Sequence, residues 1–141
     1  MRQNSGCIMT TEQNKCWIKI PEVWTDVIGE PWSIIKLDKS IVEKDFVGTL
    51  AYSIHRMPAK NNAEGQQLLG IFLNVMDHAS VENRPVASYI EMDLEDFKLM
   101  IERFEGFLHM GVWNSVDAAF LIRYLENNTE KIKPVVINSN Q

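Results

Sequence analysis

Three histidines, His55, His78 and His109, are the side chains of this chain best suited to bind a metal or to move a proton near neutral pH. A metal site needs ligands that converge. Neither H-E-x-x-H nor any other close ligand pair occurs, so the spacing gives a three-histidine site no support and no metal or cofactor is expected. Asp77-His78 is the one adjacent acid–imidazole pair. Neighbours in a strand point to opposite faces and neighbours in a helix lie about 100° apart, so the pair is poorly placed to act as a base and its orienting acid. His55-Arg56 is able to hold an anion, although a solvated rim is the favoured reading. There is no G-x-S-x-G, no P-loop and no G-x-G-x-x-G. Cys16 beside Trp17 reads as a buried thiol, and Cys7 lies in a polar leader. The chain is therefore read as leaning away from catalysis, with no catalytic residue assigned.

The densest charge cluster is Glu91, Asp93, Glu95, Asp96, Glu102 and Glu105. These six carboxylates stand against Lys98 and Arg103, a balance of −4 within a chain of net charge −5. A carboxylate pair does acid–base work only in a desolvated cleft. A second functional reading is an acidic surface that meets a partner with a basic surface, and the plainer and favoured reading is a solvated helix face with a favourable N-terminus. The negative charge argues against nucleic acid and against anionic lipid. Aromatic residues supply the remaining chemistry. Trp17, Trp24 and Trp32 fall in the first 32 residues, with Trp113 far downstream. They pack a core, or they line a pocket in which Trp32 and Trp113 form the walls and His55, Arg56 and His78 make the polar contacts.

The elements that must position these residues follow from pattern. At 141 residues, with 45% hydrophobic and 23% charged content, the chain suits one globular domain that needs no disulfide or metal. Residues 1–14 read as a flexible leader, 15–138 as the domain and 139–141 as a tail. No signal-like apolar region and no membrane-length apolar run occurs, and two cysteines near one end suit a reducing compartment, so a cytoplasmic location is expected. Cys16 to Ile20, Trp32 to Leu37 and Val86 to Met92 read as strands, Val135 to Ile137 as a last edge strand, and Val81 to Pro85 as a loop. Pro21 and Gly29 suit the start and end of a short helix. Ser40 and Glu43 form a possible capping box for a helical turn at Ile41.

Leu94, Phe97, Ile101, Phe104 and Leu108, spaced three and four apart, predict an amphipathic helix begun by Asp93. Asn114 or Ser115 begins a final helix with the stripe Ala118, Leu121, Ile122 and Leu125, which ends at Asn127-Asn128. Two stretches are ambiguous. Phe46, Leu50, Ile54 and Met57 fit a helix, while Leu50, Tyr52 and Ile54 alternate as in a strand. Leu68, Phe72, Val75 and Ala79 fit a helix, while Leu69, Ile71, Leu73 and Val75 alternate. Gly48, Gly65 and Gly70, each costing a helix interior about 1 kcal/mol, tip the expectation to strands.

The resulting expectation is an α+β domain in which an antiparallel sheet packs against two C-terminal helices. The alternative is a mostly helical bundle. Met100 and Phe107 broaden the apolar side of the 94–108 helix beyond what one neighbour covers. Met100, Phe104 and Phe107, with Glu95 and Glu102, are therefore the expected interface of a homodimer. The functional expectation is a non-enzymatic protein-interaction module. A small-molecule site or modest enzyme with the tryptophan-lined pocket is the alternative, and nucleic-acid binding ranks last.

Overall fold

The computed structural model describes residues 14–79 and 88–134. They form a single α+β domain of four helices and two small antiparallel sheets. Strand β1 (Lys15–Lys19) lies between β4 (Tyr89–Asp93) and the short β5 (Thr129–Glu130). Cys16 pairs with Met92 and Ile18 with Ile90. Side chains alternate across a strand, so these four share one face, and all four are buried beneath the helices. Trp17 occupies the other face, where its Nε1 donates to Glu91 Oε1 at 3.3 Å across the register.

The second sheet is a hairpin of β2 (Trp32–Ile35) and β3 (Ile41–Lys44). Its turn is closed by Lys39 N–H donating to Lys36 O at 2.9 Å, with Lys39 in the left-handed region at φ 73°. This is the three-residue loop in which a type I turn is followed by a left-handed residue. Ser40 does not cap a helix. Its hydroxyl and its N–H both donate to Asp38 Oδ1, at 2.6 and 3.0 Å, and Ile41 runs on as strand. The short helix expected between Pro21 and Gly29 is also absent. Asp26 Oδ1 accepts from the N–H groups of Ile28 (3.0 Å) and Glu30 (2.9 Å), a local alternative to helical bonding, and Gly29 supplies the positive φ of 87°.

The two ambiguous stretches are helices, which corrects the expectation of strands there. Helix α1 (Phe46–His55) is the centre of the molecule, and α2 (Asn62–Met76) packs beside it. Caps decide the matter. Asp45 accepts from Gly48 N at 2.8 Å, and Asn61 accepts from Glu64 N at 2.9 Å. A Cβ on Gly48 would stand 3.0 Å from Asp45 Oδ1, so this glycine makes room for the cap. Burial of α1 nearly all round, from Phe46 through Ile54, favours helix over any half-buried strand.

Helix α3 (Leu94–Phe107) and helix α4 (Ser115–Asn127) stand where the periodicity places them. Asn114 caps α4 by accepting from Asp117 N at 2.8 Å. Asp93 begins α3 without a side-chain cap bond; its carboxylate reaches Lys15 Nζ at 2.8 Å instead. Gly111, at φ 94°, turns the chain between the two helices. The broad apolar side of α3 is covered by the chain's own α1, α2 and α4 and by the sheet. Buried among them, Arg103 Nη2 lies 2.8 Å from Glu64 Oε1 in an ion pair between α3 and α2; no well-angled hydrogen bond forms at Nη2, and Nε has no partner. Among the described residues no helix is long and apolar enough to cross a membrane. Residues 1–13 of the expected leader, Cys7 among them, the loop Val81 to Pro85, the first part of the strand expected from Val86, the strand expected at Val135 to Ile137 and the 139–141 tail lie outside the described residues.

Candidate functional site

The hairpin is held to the body by Trp32, the first residue of β2, through an aromatic cluster. Trp24 stacks on Trp32 with ring centroids 5.2 Å apart and planes 9° apart. Phe120 of α4 lies against both, at 5.9 and 6.5 Å. Trp113 meets Trp32 edge to face at 4.9 Å, and Tyr52 of α1 meets Trp113 at 5.6 Å. Buried indoles need acceptors for their N–H groups. Helix α1 supplies two, one turn apart. Thr49 Oγ1 accepts from Trp24 Nε1 at 3.0 Å, and Ser53 Oγ accepts from Trp113 Nε1 at 2.8 Å. Trp32 Nε1 is buried and has no partner.

Outside this cluster a cleft of about 390 Å³ runs beside β2. One side is β2 itself with Pro31 and Asp26. The other side is Tyr52, the α3–α4 connection from Val112 to Asn114, and Asp117 in the first turn of α4. The β2 side is a strand edge without a partner among the described residues, where β2 bonds to β3 alone. Lys36 N–H donates to Ser40 O at 2.9 Å, which fixes the alternation of the ladder. Ile34 and Trp32 then direct their backbone groups to β3, and Ser33 and Ile35 turn theirs outward. Two carboxylates stand at the cleft. Asp26 is held by its own turn. Asp117 Oδ2 accepts from Asn114 Nδ2 at 2.8 Å, while Asp117 Oδ1 is buried without a partner.

The structure brings some of the sequence candidates together and separates others. Trp32 and Trp113 do line one cleft. Arg56 lies near it, its guanidinium 6.0 Å from the Tyr52 ring centroid. His55 is elsewhere, in an apolar depression of about 260 Å³ between α1 and α2, where its ring lies 6.0 Å from that of Phe72. His78 occupies a third place with Lys15, Asn74 and the carboxylates Glu91, Asp93 and Asp96; its Nδ1 meets Asn74 O at 2.8 Å rather than Asp77. His109 lies between α3 and α4 beside Glu105 and Glu126. Among the described residues no three histidine, cysteine or carboxylate groups are placed to hold a metal ion. Burial pushes the Cys16 thiol up to about 11, so it stays protonated at neutral pH.

The expected interface on α3 needs correction. Met100 and Phe104 are 0% exposed inside the monomer's own core, so they cannot meet a second chain without repacking it. Phe107 is 36% exposed, Glu95 pairs with Lys98 at 3.3 Å, and Glu102 faces solvent, so the correction concerns Met100 and Phe104 alone. Exposed aliphatic side chains also cluster on the hairpin, whose first strand was expected over Trp32 to Leu37 and whose second stands where a helical turn was expected at Ile41. Ile35 is 72% exposed and its cross-strand partner Ile41 67%, with Leu37 fully exposed at the turn. Asp26, Tyr52, Asn114 and Asp117 were not among the sequence candidates. Only the caps at Asp26 and Asn114 carry a local signal, and neither signal points to a cleft. Comparison of the chain with known protein families, curated proteins and solved structures finds no match.

Proposed function

We propose that this protein is a non-enzymatic protein-interaction module that receives an extended polypeptide segment on the free edge of β2. The observation that carries this reading is the unpaired edge itself. The outward N–H and C=O groups of Ser33 and Ile35 face a formed cleft. Strand addition uses such groups for affinity and flanking side-chain contacts for selectivity. Selecting binders from a randomised displayed peptide library, then mapping them by amide chemical shifts, tests it. Shifts centred on 32–35 and 112–117 are expected. Failure to select any peptide that perturbs the β2 edge overturns the reading.

Two further readings each rest on an observation. The outer face of the hairpin carries the exposed Ile35–Ile41 pair, which a second copy would cover in a homodimer. Light scattering at high micromolar concentration tests this, and a strict monomer removes it. A small-molecule site is favoured by the unpartnered Trp32 Nε1 and Asp117 Oδ1 beside the same cleft. A small ligand would perturb Trp32 and Asp117 without perturbing Ser33 and Ile35.

A further inference from the structure

We infer that the segment received by β2 carries a lysine or arginine, and that Asp117 with Asp26 selects it. This rests on the edge-strand reading above and adds the chemistry of the partner. The cleft offers three kinds of contact. Ser33 and Ile35 present backbone donors and acceptors, which fix an extended chain but read no sequence. Tyr52 and Trp113 present aromatic surface, which suits the methylene stem and the charge of a basic side chain. Asp117 presents a carboxylate whose orientation is set in advance. Its Oδ2 is held by Asn114 Nδ2 at 2.8 Å and its own N–H by Asn114 Oδ1 at 2.8 Å. Oδ1 is left buried and unpaired, a condition that a cationic donor relieves.

The second observation lies on the other wall. Trp32 is 2% exposed, lines the cleft, and has an indole N–H without acceptor. A carbonyl of an incoming chain satisfies it. A bare cation does not, so the pair of orphaned groups suits a peptide carrying a positive charge, which reaches these two buried atoms by a shift of the Trp32 and Asp117 side chains. Lys44, opposite Trp32 in the hairpin register, does not line the cleft, and Arg56 stands over Tyr52 at 6.0 Å without pairing with Asp26 or Asp117.

Charge also separates the occupants. A second copy pairing β2 to β2 would bring the Asp26 and Asp117 carboxylates of both chains to one interface, in a chain of net charge −5. Like charges at an interface oppose association. Phosphate-bearing partners are opposed by the same carboxylates.

The test uses the full chain and two displayed libraries of short randomised peptides, one with a fixed central arginine and one with a fixed central glutamate. The arginine library is expected to yield binders that shift the amides of Ser33, Ile35 and Asp117. Asp117→Asn should weaken them about tenfold, as loss of a charge-assisted hydrogen bond does, while its amide spectrum stays folded. Asp26→Asn should weaken them less. Ser33→Pro, which removes an outward N–H at an edge position, should weaken binders from either library. If the glutamate library yields equal binders on the same edge, the basic-residue inference is overturned and the edge reading stands. If neither library yields a binder at the β2 edge, both fall. If arginine amide alone reproduces the Asp117 shifts and displaces the peptides completely, the occupant is a small cation and the peptide inference is overturned.

Discussion

The two sheets are built from the same kind of sequence and meet opposite fates. In the three-stranded sheet Ile18 and Ile90 are 0% exposed; in the hairpin Ile35 and Ile41, also directly paired, are largely exposed. Residue type does not separate the two pairs, and neither does strand pairing, which is antiparallel in both. The difference is cover. Helices close over one face of the β4-β1-β5 sheet, and nothing among the described residues closes over the outer face of the hairpin. An isolated two-stranded hairpin is marginal in water, so this one depends on the anchoring of Trp32 at its base.

That contrast predicts effects of very different size. Trp32→Ala should cost about 3–5 kcal/mol, the range for losing a large buried aromatic. It should also release the hairpin, with amide protection lost at 32–44 ahead of that in β1 and β4. Uniform loss of protection would show that the two regions unfold as one. Ile90→Ala should cost about 2–5 kcal/mol by denaturant unfolding. Thr49→Val keeps the shape of a fully buried residue but removes the acceptor of the half-buried Trp24 Nε1, which should cost about 1 kcal/mol, the low end for an unsatisfied donor. Thr49→Ser, which retains the hydroxyl, should recover part of that loss.

Acid titration separates the regions by place. The Lys60 backbone N–H, and then Arg103, hold the Glu64 carboxyl below its ordinary value of 4.5. Hydrogen bonds from Ser40 do the same for Asp38 in the hairpin turn. A depressed folded pKa contributes stability that is in place above the unfolded value and is lost as pH falls through the folded one. Glu64→Gln should therefore flatten the acid side of the global melting curve against pH, while Asp38→Asn should change protection only near the turn. An unaltered acid slope in Glu64→Gln would remove the ion pair to Arg103 from the account. The smallest effect is expected at Ile35→Ser, within about 0.5 kcal/mol, because an exposed side chain away from special features has little burial to lose. A loss above 2 kcal/mol would mean that the hairpin face is already covered, by a second copy in solution.

Much of the frame was legible. The strand around Ile90 to Met92 alternates cleanly, the apolar run Cys16 to Ile18 is short and flanked by lysines, and α3 and α4 carry three-and-four spacings over a dozen residues. Helices α1 and α2 were misjudged because a short apolar run satisfies both periods and because glycine was counted as a breaker. Asp45 three residues before Gly48, and Asn61 three before Glu64, were the available start signals. Of the candidate site, Trp32 and Trp113 were nameable as aromatic walls, but His55 and His78 were placed with them by chemistry alone. Tyr52 and Asp117 had no signal that could join them to Trp32.

By itself the sequence determined what depends on neighbours in the chain: an α+β composition, the amphipathic α3 and α4, the concentration of negative charge at 91–105 and the absence of a ligand-spaced histidine set. Those properties are carried by period, capping chemistry and charge. Tertiary structure alone decided which apolar faces stay uncovered, that Met100 and Phe104 belong to the core, and that Asp26, Trp32, Tyr52 and Asp117 share one cleft. Cover and cleft are made by packing between residues far apart along the chain, and pairings at that separation leave no periodic trace.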